Sequence, residues 1–209
     1  MESSVINDAG ELADWVDHFL ETMKGEGPGS VPCGECVGCC TSSKFILVRP
    51  SDFKAKAVIP EELLFPAPGL PKGFLLMGYN ELGHCPMFRN GKCSIYESRP
   101  ETCRQYDCRV LAATNASLEG ESETIADQVN SWRFSFEKSA SADAANAIRR
   151  SMKFLKQHSM SFPEEYIPVT ETQLSALAVR IHREFMGPDA PDIRASEIID
   201  KIVAEYPAG

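Results

Sequence analysis

The sequence predicts an α+β protein in which a small cysteine-rich core with short strands is flanked by an N-terminal helix and a C-terminal helical layer. Apolar residues recur at helical spacing near the N-terminus and again through the C-terminal half. The middle carries short branched or aromatic runs and an Asn-Gly turn, and all eight cysteines lie between Cys33 and Cys108. On this reading residues 1–32 are an N-terminal helix and linker, residues 33–110 a cysteine-cluster module, and residues 111–209 a helical region.

Leu12, Trp15, Val16, Phe19, Leu20 and Met23 follow the i, i+3, i+4, i+7 rule of an amphipathic helix whose apolar stripe packs on the rest of the chain. Asp8 and Glu11 form a capping-box start, Gly25 supplies the stop, and Gly25 to Pro32 is a linker. Lys44 to Val48 predicts a strand, followed by Pro50 and a short helix capped at Ser51. A Pro-rich loop spans Pro60 to Pro71, Phe74 to Met77 is a second strand, and Met87 to Ile95 folds as a hairpin around Asn90-Gly91. Ser98, Arg99 and Pro100 open a helix.

Beyond Val110, Ile125, Val129, Trp132 and Phe136 recur at helical spacing. Ala144, Ala147, Ile148, Ser151 and Leu155 do the same after a break near Ser139 to Asp143. Thr170 with Gln173 opens a helix carrying Leu174, Leu177, Ala178, Ile181 and Phe185, closed by Gly187-Pro188. The last helix buries Ile199, Ile202, Val203 and Tyr206.

Hydrophobic residues at 43% and charged residues at 24% exclude a disordered or collagenous chain. The opening Met-Glu-Ser-Ser-Val lacks the basic and apolar regions of a secretion signal, and runs such as Phe74 to Met77 are far too short to span a bilayer. A cytoplasmic chain is therefore expected, with its thiols reduced, and clustered reduced thiols point to metal rather than disulfides. The net charge of -9 is unevenly spread. Residues 1–32 hold seven acids and one base, residues 33–110 eight acids and ten bases, and residues 111–209 fifteen acids and ten bases. Nucleic-acid binding is not expected of a chain with a pI near 5.0. No GxSxG, P-loop, GxGxxG or HExxH motif occurs, so the chain reads as a binding module rather than an enzyme.

In Cys33-Gly-Glu-Cys36-Val-Gly-Cys39-Cys40 each CxxC step lets two sulfurs converge on one ion, with Gly34 and Gly38 permitting the turn. Adjacent residues project differently, so Cys39 and Cys40 are expected to serve different ions, or one of them to stand behind the ligands. In a two-residue hairpin Cys93 sits opposite Phe88, and Cys85, beside Pro86, falls outside the ladder. For Cys103 and Cys108 to face one site, the helix that starts near Pro100 must end near Tyr106.

All eight, Cys33, Cys36, Cys39, Cys40, Cys85, Cys93, Cys103 and Cys108, are the candidate metal ligands, and thiolate coordination favours zinc ions in a structural role. The alternative is iron or a 4Fe-4S cluster, because Cys33, Cys36 and Cys39 match ferredoxin-type spacing and Cys85-Pro86 supplies a remote fourth ligand. Arg89, Lys92, Arg99, Arg104 and Arg109 are expected to screen metal-thiolate charge, Arg99 and Arg104 by hydrogen bonds near the ligands, while Ile95 and Tyr96 pack beneath. His84 is a neighbour of the site rather than a ligand.

With Cys33–Cys40 as CxxCxxCC, Cys85-Pro86, and Cys93-Ser-Ile-Tyr-Glu-Ser-Arg99-Pro-Glu-Thr-Cys103-Arg-Gln-Tyr-Asp-Cys108, the sequence resembles the CxxCxxCC family of zinc- or iron-chelating proteins, cysteine-cluster proteins of YkgJ type. The resemblance implies a metal-chelating domain using these eight cysteines. A related cluster in flagellin lysine methylases implies, as the alternative, an iron-sulfur protein with a redox or methyltransferase-associated role. The resemblance does not reach the C-terminal helices, which are free to serve a protein partner.

Overall fold

The computed structural model describes residues 6–27, 29, 31–164, 166–168, 170–187 and 195–206. Residues 1–5, Pro28 and Ser30 of the linker, and Pro188 of the Gly-Pro stop lie outside that set. In chain order the elements are β1 (Asn7–Glu11), α1 (Leu12–Met23), β2 (Ile46–Val48), α2 (Phe53–Lys56), β3 (Leu64–Pro66), β4 (Leu75–Met77), β5 (Phe88–Arg89), β6 (Lys92–Cys93), α3 (Glu101–Gln105), α4 (Arg109–Thr114), α5 (Glu123–Ser131), β7 (Trp132–Ser135), α6 (Ser139–Gln157), α7 (Glu171–Arg180) and α8 (Ala195–Glu205). The fold is α+β. Among the described residues no helix is long and apolar enough to cross a membrane. The chain forms two compact units, a helical unit of Met1–Lys24, Cys108–Glu119 and Val129–Gly209, and a cysteine unit of Gly25–Asp107 and Gly120–Gln128.

The helical unit is organised around α6. Its Ala147, Met152 and Leu155 join Leu174, Leu177 and Ala178 of α7 and Ile198, Ile199 and Ile202 of α8 in one buried cluster. Several buried hydroxyls inside this unit are paired. Ser151 donates its hydroxyl to the carbonyls of Ile148 and Ala178, at 2.8 and 2.7 Å. Thr170 caps α7 by accepting the Gln173 N–H at 3.3 Å, which agrees with the predicted start. That helix stops at Arg180, so Ile181 sits at its end and Phe185 on the following 3₁₀ turn, and both are still buried.

At the N-terminus the structure departs from the expected capping box. Asp8 and Glu11 belong to β1, which pairs in parallel with β7 through Asn7↔Trp132 and Glu11↔Ser135. Trp132 therefore stands on a strand rather than on the helix its spacing suggested, and α6 starts at Ser139 without the expected break. Asp8 accepts the Gly10 N–H at 2.8 Å across a bulge where Gly10 has φ +87°, a conformation suited to glycine. Glu11 turns its carboxylate to the start of α6, accepting the N–H groups of Glu137 and Lys138 at 2.9 and 3.1 Å and the hydroxyls of Ser135 and Ser141. Ser141 in return accepts the Ala13 N–H of α1 at 2.9 Å. Each helix start is thus capped by a side chain from the other strand of chain, and the Ser141 hydroxyl leads the contacts that lower the Glu11 pKa to about 2.

The cysteine unit has smaller elements. β2, β4 and β3 form an antiparallel sheet in that order, with Val48↔Leu75 and Leu64↔Met77 in register. Pro66 lies on an outer strand, where no ladder donor is required, so the expected Pro-rich loop contains a strand. Val48, Ala55, Ile59, Met77, Cys85 and Met87 make the buried cluster. Asp52, rather than Ser51, precedes α2, and its buried carboxylate accepts the Arg49 N–H at 2.9 Å and the Glu101 N–H, at the start of α3, at 2.8 Å. The β5–β6 hairpin turns at Asn90 and Gly91, with φ +52° and +75°, the left-handed pair that a type I′ turn requires.

Candidate metal centre

The first cysteines lie on consecutive tight turns. The Cys36 N–H donates to the Cys33 carbonyl at 2.9 Å, Gly34 holds φ +56°, and the Gly38 N–H reaches the Cys36 sulfur at 3.5 Å. A 3₁₀ turn then carries Gly38, Cys39 and Cys40. A Cβ on Gly38 would stand 3.1 Å from the Ile125 side chain, so a glycine lets this turn sit against the first part of α5.

Backbone bonds knit the second group to the first. The Cys85 N–H donates to the Cys40 carbonyl at 2.8 Å, and the Phe88 N–H donates to the Cys85 carbonyl at 2.8 Å. Cys93 faces Phe88 across the hairpin and Cys85 lies before the ladder, both as the turn chemistry predicts. Cys103 rides on α3, which ends at Gln105 with Tyr106 already extended. Cys108 belongs to the helical unit, where it is buried and accepts the Trp132 indole N–H at 3.3 Å.

Four thiols have their ionisation shifted by their surroundings, neighbouring thiols among them. Cys40 is pushed far up, first by its hydrogen bond with Cys39, then by burial and by the charges of Cys39, Cys93 and Cys85. Burial, with the charges of Cys39, Cys85 and Cys93, pushes Cys103 up to about 12. Cys85 is raised chiefly by burial, whereas Cys39, which receives the Cys40 hydrogen bond and faces the Arg99 charge, falls to about 7. The Cys39 and Cys40 sulfurs are 3.9 Å apart. Zinc–sulfur bonds of about 2.3 Å imply a tetrahedral edge of about 3.8 Å. Neighbours in sequence therefore converge here, contrary to the divergence expected of them. Among the described residues no three His, Cys, Asp or Glu side chains are close enough to hold an ion as they stand. The donor chemistry nonetheless fits a thiophilic ion, because the candidate donors are free cysteine thiols.

The Arg99 guanidinium is well held. Arg99 lies 3.8 Å from the centre of the Tyr96 ring and donates to the Gly29 carbonyl at 3.4 Å. Arg104 donates to the Arg99 carbonyl at 2.5 Å and pairs with Asp52 at 3.6 Å. Tyr96 is half exposed and serves as a platform for Arg99 instead of packing beneath the site, while Ile95 does pack on the unit's core. Arg89 and Lys92 point to solvent. Arg109 departs from the expected screening role. It is buried in the helical unit about equally far from the Trp15 and Trp132 rings, at 6.0 and 5.9 Å, and donates to the Ala9 carbonyl. His84 meets Phe88 edge-on at 5.5 Å. Asp52 was missed as a support of the site: an Asp before a short helix signals a local cap, and nothing local reveals its reach to α3.

Neither the curated proteins nor the solved structures compared with the chain gave a match. Residues 32–123, a span containing all eight cysteines, match the model of the CxxCxxCC family, described as "Putative zinc- or iron-chelating domain".

Proposed function

We propose that the cysteine unit binds zinc ions through thiolates and that the metal is mainly structural. The observation that carries this reading is the 3.9 Å approach of the Cys39 and Cys40 sulfurs beside Cys85, whose N–H bonds the Cys40 carbonyl, and five thiols, Cys39, Cys40, Cys85, Cys93 and Cys103, come from the first turn, the hairpin region and α3. Within the cysteine unit the proposed donors are these five together with Cys33 and Cys36. Bound zinc would add cross-links between segments that already meet in the unit's small apolar cluster. Arg99, stacked on Tyr96, balances thiolate charge, and Asp52 holds the start of α3 so that Cys103 meets the hairpin. Because Cys40, Cys85 and Cys103 are held protonated in the free protein, uptake of an ion releases protons and strengthens as pH rises.

Elemental analysis after anaerobic purification tests the reading: a colourless protein with about two zinc ions per chain is expected. Single Cys→Ser variants then divide the ligands into sets by the loss of one ion or both. A second reading rests on the CxxCxxC spacing of Cys33, Cys36 and Cys39 with Cys85-Pro86, which suits an iron-sulfur cluster with a redox or methyltransferase-associated role. Brown protein absorbing broadly near about 400 nm, with iron and acid-labile sulfide, would replace zinc by that cluster.

A further inference from the structure

Away from the cysteines, the exposed side of α6 carries an open cavity of about 600 Å³ lined by Asp143, Asn146, Arg149, Arg150, Lys153 and Gly187. Three cations and one carboxylate face this space, in a region of the chain, residues 111–209, where acids outnumber bases fifteen to ten. Among the described residues none of the three cations has a carboxylate within ion-pair distance. Two of them are positioned by neutral acceptors. Arg149 donates to the Asn146 side-chain oxygen at 2.9 Å, and Arg150 donates through Nη1 to the Gly187 carbonyl at 2.9 Å. The Arg150 Nε is buried and has no acceptor.

We infer that this cavity is a binding site for a phosphomonoester group on a small soluble molecule. Guanidinium groups offer planar forks of N–H donors that match phosphate oxygens, and Lys153 adds a point charge. Three positive charges less one negative leave two, which balances a phosphate monoester near its dianionic state at neutral pH. The volume falls in the range of small-molecule sites. A nucleic-acid polymer is disfavoured by the whole chain's net charge of -9, and a metal cation by the cavity's own lining.

The test titrates the full-length, metal-loaded protein with inorganic phosphate and with glycerol 3-phosphate by calorimetry at constant ionic strength, beside phosphatidic-acid vesicles. Saturable one-site binding of either soluble probe is expected, weakened about tenfold or more in the exposed-residue variant R149Q/K153Q, whose fold is checked by circular dichroism. Binding unchanged in that variant, heat no greater than that from matched chloride, or binding to vesicles alone would overturn the assignment. Because neither substitution touches a thiol, zinc content stays constant whether the assignment stands or falls.

Discussion

The two units solve the problem of folding in different ways. The helical unit buries a continuous cluster in which Ala147, Leu155, Ala178, Ile181 and Ile202 are completely shielded, and its helices run to 19 residues in α6. The cysteine unit has strands of two or three residues, a six-residue buried cluster of which one member is Cys85, and several large apolar side chains left outside. Phe53 and Leu82 are 76% exposed and Phe45 is 56% exposed. A segment with so little apolar burial gains little from the hydrophobic effect against its chain entropy. On the proposed reading, thiol-bound metal would supply the stabilisation that apolar burial gives the helical unit.

Removing metal breaks the comparison most strongly. Structural zinc carries apparent binding free energies of about 10–16 kcal/mol in small zinc peptides. Chelation of the zinc-loaded protein should therefore abolish hydrogen-exchange protection in Gly25–Asp107 while α6 and α7 stay protected. Unchanged protection in the cysteine unit would end the structural-metal reading. The converse lesion is Leu155→Ala, which opens a cavity in the shielded core of the other unit at a cost of about 2–5 kcal/mol. Denaturant unfolding should register that loss while zinc content holds.

Asp52→Ala is expected to act inside the cysteine unit at about 1–3 kcal/mol, because it leaves the N–H groups of Arg49 and Glu101 without their charged acceptor. It should also weaken zinc binding, read by competition with a chromophoric chelator, and Asp52→Asn should restore part of it. The smallest effect is on pH dependence. Burial holds the His182 pKa below 6.5, with its Nδ1–H donating to the Val179 carbonyl at 2.7 Å. The unfolded chain therefore binds the proton more readily, so His182 contributes stability above 6.5 that is lost as pH falls through its lower folded value. Glu11 adds a second loss between 4.5 and about 2, since its folded carboxyl titrates lower than in the unfolded chain. Melting temperatures of metal-free protein should fall on acidification in these two windows, and His182→Phe should flatten the first.

Local chemistry made parts of both units legible. The Asn90-Gly91 turn set the register that brings Cys93 opposite Phe88, and Thr170 with Gln173 marked the start of α7. Ile125, Val129 and Trp132 share a helical spacing, yet Trp132 leaves the helix, because pairing of β7 with β1 over more than a hundred residues outweighs a local period. The same reason hid the exchanged caps: Asp8 and Glu11 satisfy a capping-box pattern, but their partners are set by the strand pair. At the site, the motif named the thiols but not their neighbours. That Cys39 and Cys40 converge, that Tyr96 carries Arg99, and that Arg109 is buried beside two tryptophans all depend on the folded backbone.

The exchanged caps also set a timetable for synthesis. Glu11 and Ser141 are 130 residues apart, so α1 leaves the ribosome long before the residue that completes its first turn exists. At about 5–20 residues per second that delay is roughly 7–26 s. Every residue of Gly25–Asp107 and Gly120–Gln128 is translated within this interval. A nascent chain can thus load its thiols while the N-terminal helix still waits for its partner, and the last helices close a unit whose first helix was made at the outset.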